Sequence, residues 1–276
     1  MPQPTLAKEF LDHLFNYKGT TINNNTMDLY LKGKTAIVTG ASQGIGRAIA
    51  KQLSLEGVAV FATARNLDRL NSLKEELVAS GGVEPIIFVQ DFTAADGPEN
   101  IAAAALSGLG HVDILINNAG QSRPVEVAGP EEPWIETMDL DFNRPRQLTQ
   151  QLLPHFINRK QGAILNLAST YELRTINVSA VAKSAIIAWS KQLSGRVGQY
   201  GITVNCLQPG LIDTNNIRSY FPGDERKKYA EREIPLGDFG EPQDIANMAA
   251  FLVSPRAAYI TGTVAVVDGG MRRYPF

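Results

Sequence analysis

The stretch Thr39-Gly40-Ala41-Ser42-Gln43-Gly44-Ile45-Gly46 constrains this chain more than any other. It follows the apolar run Thr35-Ala36-Ile37-Val38 and opens the helix-like segment Arg47-Ala48-Ile49-Ala50-Lys51-Gln52-Leu53. A glycine turn between a buried strand and a helix start lets backbone N–H groups approach a phosphate, which the positive end of the helix then holds. The stretch therefore implies a strand–turn–helix unit that binds a dinucleotide. The general G-x-G-x-x-G spacing would want a small residue at Ile49, so this turn is a variant of that fingerprint. Three glycines alone also fit a tight turn or a helix cap, and the rest of the chain has to decide between these readings.

Strand-like runs at 35–40, 58–64, 84–90, 113–117, 163–168, 202–207 and 263–268 alternate with segments of helical apolar spacing at 45–56, 67–80, 97–108, 134–157, 179–199 and 242–253. Continuous Val/Ile-rich strands joined by helical crossovers mean a parallel sheet covered on both faces. The expectation is an α/β fold: one doubly wound, Rossmann-type domain with seven parallel strands, covering residues 29–276. Residues 1–28 form an extension, in which Leu6, Phe10, Leu11, Leu14 and Phe15 have amphipathic helical spacing. The stretch 213–235 breaks the rhythm after a strand end, where open parallel sheets place their ligands, and is read as a substrate-covering insertion.

Several later segments occur in the same order as in one known family. They are Asn117-Asn118-Ala119-Gly120 after a strand, Asn143 in a helical segment, Ser169 at a strand end, Lys183-Ser184-Ala185-Ile186, and Pro209-Gly210-Leu211-Ile212-Asp213-Thr214. With the Thr-Gly-x-x-x-Gly-x-Gly turn, the chain resembles the short-chain dehydrogenase/reductase family over about residues 30 to 270. The resemblance implies a cofactor site at Gly40, Ser42, Gln43, Gly44, Ile45 and Gly46. It puts Asp91 with Phe92 at the adenine, Asn118, Ala119 and Gly120 along the adenosine ribose, and Lys183 at the nicotinamide ribose. Pro209, Gly210, Ile212 and Thr214 then hold the nicotinamide carboxamide.

The second strand run, Val58 to Ala64, ends without the Asp or Glu that would bind an adenosine ribose, and continues into Arg65-Asn66. A guanidinium there can pair with a 2′-phosphate through two parallel hydrogen bonds, so NADP(H) is expected over NAD(H).

A typical family member carries an Asn, a Ser and Tyr-x-x-x-Lys as its catalytic group. Here Asn143, Ser169 and Lys183 match, but the residue four before the lysine is Ser179. A phenol, with a pKa near 10, can give a proton to a carbonyl oxygen as hydride reaches the carbon, whereas an aliphatic alcohol is a far weaker acid. Three routes stay open. Tyr171 could supply the proton; Lys183, or a water held by Asn143 and Ser169, could deliver it; or the substrate, an iminium or an activated alkene, could need little protonation. The functional expectation is an NADP(H)-dependent oxidoreductase acting on a small organic carbonyl, alcohol or related C=N or C=C substrate with atypical proton delivery. The alternative is an NADP(H)-binding protein without ordinary redox turnover.

A net charge of -2 gives no electrostatic reason to bind nucleic acid or an anionic membrane. The three histidines, His13, His111 and His155, show no metal-ligand spacing, and the single cysteine, Cys206, reads as a packed core thiol. No metal site is expected, no run is long enough to cross a bilayer, and a cytoplasmic protein follows. The resemblance implies a homodimer or homotetramer built through helices 134–157 and 179–199. Trp134, Tyr171, Leu211, Tyr220 and Phe221 could line a substrate pocket or pack as core.

Overall fold

The computed structural model describes residues 27–169, 175–221 and 224–273. Its seven strands are β1 (Thr35–Thr39), β2 (Ala59–Ala64), β3 (Ile86–Val89), β4 (Ile114–Asn117), β5 (Gly162–Leu167), β6 (Ile202–Pro209) and β7 (Val264–Val267). They form one sheet in the order β3-β2-β1-β4-β5-β6-β7, with every pairing parallel. Each of the seven expected strands is present, and the sheet reverses direction between β1 and β4. The extension at 1–28 lies outside the described residues except for Met27 and Asp28.

The strands read as continuous apolar runs because both faces are covered. Side chains alternate in direction along a strand, so Ala36 and Val38 join one core while Ile37 joins the other. The first core packs β1, β2 and β4 against α1 (Gly44–Leu55), α2 (Leu67–Ala79) and α9 (Pro242–Leu252). The second packs Phe61, Leu115 and Ile164 against α3 (Gly97–Leu109), α5 (Arg144–Arg159) and the C-terminal part of α6 (Val178–Val197). Cys206 is buried, and burial pushes its thiol up to about 11, as expected of a core thiol rather than a nucleophile.

The expected helix at 134–157 is two helices. α4 (Glu132–Met138) runs into a π-helical turn at Asp139–Asn143 before α5 begins. Pro145 has no N–H to give to the carbonyl of residue 141, four positions back, so the α-helical ladder cannot run through this point. The backbone N–H of Arg144 reaches instead to the carbonyl of Asp139, five residues back. The insertion after β6 is helical rather than an irregular loop, with α7 (Asn215–Tyr220) and α8 (Glu225–Glu233). Among the described residues, no helix is long and apolar enough to cross a membrane, and no cluster of residues could hold a metal ion.

A buried polar ladder fixes the middle of the sheet. Asn117 Nδ2 donates to Asn166 Oδ1 (2.7 Å) and to Thr149 Oγ1 (3.0 Å), and Asn166 Nδ2 donates to Ser190 Oγ on α6 (2.8 Å). Breaking a buried polar network leaves unsatisfied donors, at about 1–3 kcal/mol for each. Asn166→Ala is therefore expected to lower unfolding stability by about 1–3 kcal/mol. The midpoint of a urea unfolding curve should fall while its slope is unchanged.

Candidate active site

The glycine turn closes on the loop that follows β4. Gly40 and Gly44 hold left-handed backbone angles of φ +66° and +55°, and a Cβ on Gly46 would lie 2.3 Å from the carbonyl oxygen of Gly40. Thr39 Oγ1 accepts the backbone N–H groups of Asn118 and Ala119, each at 3.0 Å. Asn118 Nδ2 donates back to the Thr39 carbonyl at 2.9 Å. The turn and the loop are thus tied into one piece along a trough of about 410 Å³ at the C-terminal edge of the sheet.

One end of the trough is cationic. Arg65, at the end of β2, and Arg69, one turn into α2, both line it and are exposed. The Arg69 guanidinium donates to the Gln43 side chain across the trough. Asn66 also lines this end, but its side chain accepts the backbone N–H of Arg69 at 2.8 Å as the N-cap of α2, so the amide is already engaged. Asp91 and Phe92 form the facing wall. The Asp91 carboxyl is held below its ordinary value, first by the backbone N–H of Thr93 and then by the Thr93 hydroxyl.

Ser42, Ile45, Ala119, Gly120 and Thr214 continue the lining toward the other end. The Thr214 hydroxyl accepts the N–H of Ile217 as the cap of α7, and its methyl would lie 3.3 Å from a Cβ on Gly44. Pro209, Gly210 and Ile212 are not part of the trough wall. Pro209 ends β6, Gly210 packs against Asp268, and the Ile212 side chain is buried in the first core.

Immediately behind Gly120 stands a closed group of three side chains. A Cβ on Gly120 would lie 2.8 Å from Asp141 Oδ1 and 3.1 Å from Lys183 Nζ. Asp141 is 0% exposed, and its Oδ2 accepts a hydrogen bond of 2.5 Å from the Ser179 hydroxyl. Its Oδ1 accepts the backbone N–H of Gln121 at 3.3 Å and lies 4.0 Å from Lys183 Nζ. Ser179 and Lys183 are one turn apart on the first part of α6, whose N-cap is Asn177. Burial raises the Asp141 carboxyl above its ordinary value, outweighing the opposing pull of Lys183 and the hydrogen bonds of Ser179 and Gln121.

The residue that the π turn brings to Ser179 and Lys183 is thus Asp141, not Asn143. Asn143 ends that turn, is half-buried, and makes no side-chain hydrogen bond to the group. Ser169 stands two residues beyond the end of β5 and is half-buried. Tyr171 lies outside the described residues. The sequence reading missed Asp141 and Arg69. Arg69 could have been found from its position three residues after the cap Asn66, whereas Asp141 needed the π turn to be known.

This is a sheet-edge trough with a glycine turn at a helix start, a cationic end, and a lysine and a carboxyl behind its far end. Its pattern matches the enoyl-(acyl carrier protein) reductase family across residues 40–272. The chain belongs to the short-chain dehydrogenase/reductase family. A 3-oxoacyl-(acyl-carrier-protein) reductase of Vibrio cholerae is 34% identical over 247 residues, spanning 87% of this chain and 98% of that protein. A 3beta-hydroxysteroid dehydrogenase of Eggerthella lenta is 34% identical over 254 residues, spanning 89% of this chain and 96% of its own length. Among solved structures, the L-sorbose reductase of Gluconobacter frateurii, complexed with NADPH and L-sorbose, superposes with a TM-score of 0.85 at 32% identity. That match covers 90% of this chain and 100% of the reductase.

In this short-chain dehydrogenase/reductase, the α7–α8 segment, whose start at Thr214 and Asn215 lines the trough, is pinned by one acid. Asp213 Oδ1 pairs with Arg218 Nε at 2.7 Å, and its Oδ2 with Arg226 Nη1 at 2.5 Å. Phe239 meets the rings of Phe221 and Tyr229 edge to face, Phe221 and Tyr229 lie tilted against each other, and Leu211 packs on the same cluster. Phe221 therefore serves the segment's own core, whereas Leu211 packs on that core and also lines a second cavity with Ile212, Phe239 and Met248. The Asp213 carboxyl is held below its ordinary value by the hydrogen bond from Arg218 and then by that from Arg226, against the upward push of burial. A depressed carboxyl contributes stability above its unfolded pKa of about 3.9 and loses it as pH falls through the lower folded value. Amide exchange in 213–235, corrected for its intrinsic pH dependence, should stay flat from neutral pH down to about 5 and rise below about 4. Asp213→Asn should show the raised exchange already at neutral pH.

Proposed function

We propose that this chain is an NADP(H)-dependent oxidoreductase that moves hydride between the nicotinamide and a small organic carbonyl or alcohol, or a related C=N or C=C substrate. The observation that carries this reading is the single trough that runs from Arg65 and Arg69, past the glycine turn, to Gly120 with Lys183 directly behind it. Gly46 supports the fit, because any side chain there would collide with the Gly40 carbonyl and the Asn118 amide and push the start of α1 away from the turn.

In this reading the backbone N–H groups at the start of α1 take the pyrophosphate, and Arg65 with Arg69 takes the 2′-phosphate. Asp91 and Phe92 flank the adenine, and Asn118, Ala119 and Gly120 flank the adenosine ribose. The backbone from Pro209 through Gly210 and Ile212 to Thr214 holds the carboxamide. Lys183 holds the nicotinamide ribose, and Ser169 polarises the substrate. When bound, the reduced cofactor supplies a hydride. Ser179 occupies the position where the family carries its tyrosine, so proton delivery follows another arrangement. The α7–α8 segment covers the substrate and excludes water. The relatives and the structural neighbour named above are reductases and dehydrogenases of carbonyl and hydroxyl compounds, which favours the same bond type here. Assembly as a homodimer or homotetramer through α5 and α6 belongs to this proposal and is checked by light scattering.

The test is NADPH oxidation across ketones, aldehydes, cyclic imines and activated enones, with NADPH binding measured in the same samples. Turnover of at least one class is expected, and tight binding with no turnover of any would favour the non-redox alternative. Arg65→Ala should weaken NADPH binding by about 10- to 100-fold, the usual range for a charge-assisted hydrogen bond, and leave NADH binding nearly unchanged. Isothermal titration with both cofactors measures the difference.

A further inference from the structure

We propose that Asp141, enclosed between Ser179 and Lys183, is the proton store of this site and acts through the Ser179 hydroxyl in place of the absent phenol. The inference rests on the oxidoreductase reading for its direction but on geometry for its substance. Asp141 is fully enclosed, and its Oδ2 is joined to Ser179 Oγ by a direct hydrogen bond. Lys183 is the cation that faces it from α6, at 4.0 Å, and the Gln121 N–H faces it from the loop after β4. On its own turn, Asp139 is taken up by Arg144 at 2.8 Å. Gly120, which lines the trough, packs directly against Asp141 and Lys183.

A hydroxyl carries one hydrogen and two lone pairs, so Ser179 can receive a proton on one side while giving one up on the other. With the proton on Asp141, the carboxyl O–H donates to Ser179 Oγ, and the serine hydrogen turns toward the substrate oxygen. In reduction, the carbonyl carbon gains hydride with its electron pair, and the carbonyl oxygen gains the serine proton. The Asp141 O–H bond breaks as its proton moves to Ser179 Oγ. Asp141 is left as a carboxylate beside the Lys183 ammonium, which stabilises it, and solvent returns one proton per turnover. Asp141 never touches substrate; it is a positioning and proton-holding residue, and Ser179 is the group that makes contact.

The first measurement is carbon-13 NMR of the full-length protein labelled at aspartate carboxyls, titrated from about pH 4 to 9. One resonance is expected to titrate clearly above the ordinary aspartate value of about 3.9 and to vanish in Asp141→Asn. Ionisation of every aspartate throughout the range above about pH 5 overturns the proposal. The second uses whichever substrate turns over. Wild-type kcat for reduction should fall as pH rises through that same titration. Asp141→Asn should lose kcat by about 100-fold or more, lose this pH limb, and still bind NADPH. Ser179→Ala should lose rate similarly while keeping the raised aspartate resonance, and it decides the matter if Asp141→Asn does not fold. An Asp141→Asn protein with wild-type kcat and pH limb overturns the proposal. So does loss of turnover in Tyr171→Phe with none in Asp141→Asn. If wild type reduces nothing, the oxidoreductase reading fails, and the NMR titration alone judges the proton store.

Discussion

The hydrogen bonds between Thr39 and the Asn118–Ala119 backbone set the geometry on which this molecule depends. They join the end of β1 to the end of β4, the two strands at which the sheet reverses direction. Parallel sheets open a crevice at such a reversal because the crossovers on its two sides run to opposite faces. The crevice keeps its shape only if both lips are held, and Thr39 holds them with a single side chain. Asn118 completes the link through its amide, which lies where any Cβ on Gly46 would collide with it. The close approach of α1 to the strand ends is therefore an outcome of this link and of the missing side chain at 46 together.

The sequence makes the sheet and the trough legible for a physical reason. Strands covered on both faces are apolar throughout, and glycines in positive-φ turns have few substitutes, so both leave local marks in the chain. The parts that were not legible are those where register decides. The helical spacing of 134–157 continues through Pro145, yet the proline removes one N–H and shifts the ladder by a residue. That shift turns Asp141 inward, and a residue two positions along, Asn143, was expected instead. The aromatic residues of the insertion were ambiguous from sequence because an apolar side chain near a mouth can serve either the mouth or its cover. Phe221 packs in the insertion's own core, and Leu211 both packs on that core and lines a second cavity.

The interior polar groups fall into two kinds with different tasks. Asn117, Asn166 and Ser190 form a neutral ladder in which each donor meets an acceptor, a rigid arrangement that fixes α6 against β4 and β5. Ser179 and Lys183 sit nearby at the start of the same helix and Asp141 faces them from the π turn before α5, a group that includes ionisable side chains. A rigid neutral ladder next to an ionisable group lets the second change protonation without the backbone following, because the helix that carries Ser179 and Lys183 is anchored elsewhere.

The strand order also orders the events of synthesis. β1, β2, β3 and β4 are complete once residue 117 has been made, and four residues later, at Gln121, all of the trough lining except Leu140, Thr214 and Asn215 is present. α9, which packs on α1, and the edge strand β7 come last. As the ribosome releases the chain, the nucleotide-facing half therefore exists before the helix that packs beside α1 on the sheet. Until α9 arrives, the flank of α1 that it covers is bare, and a nascent chain at this stage offers a chaperone a definite surface to hold.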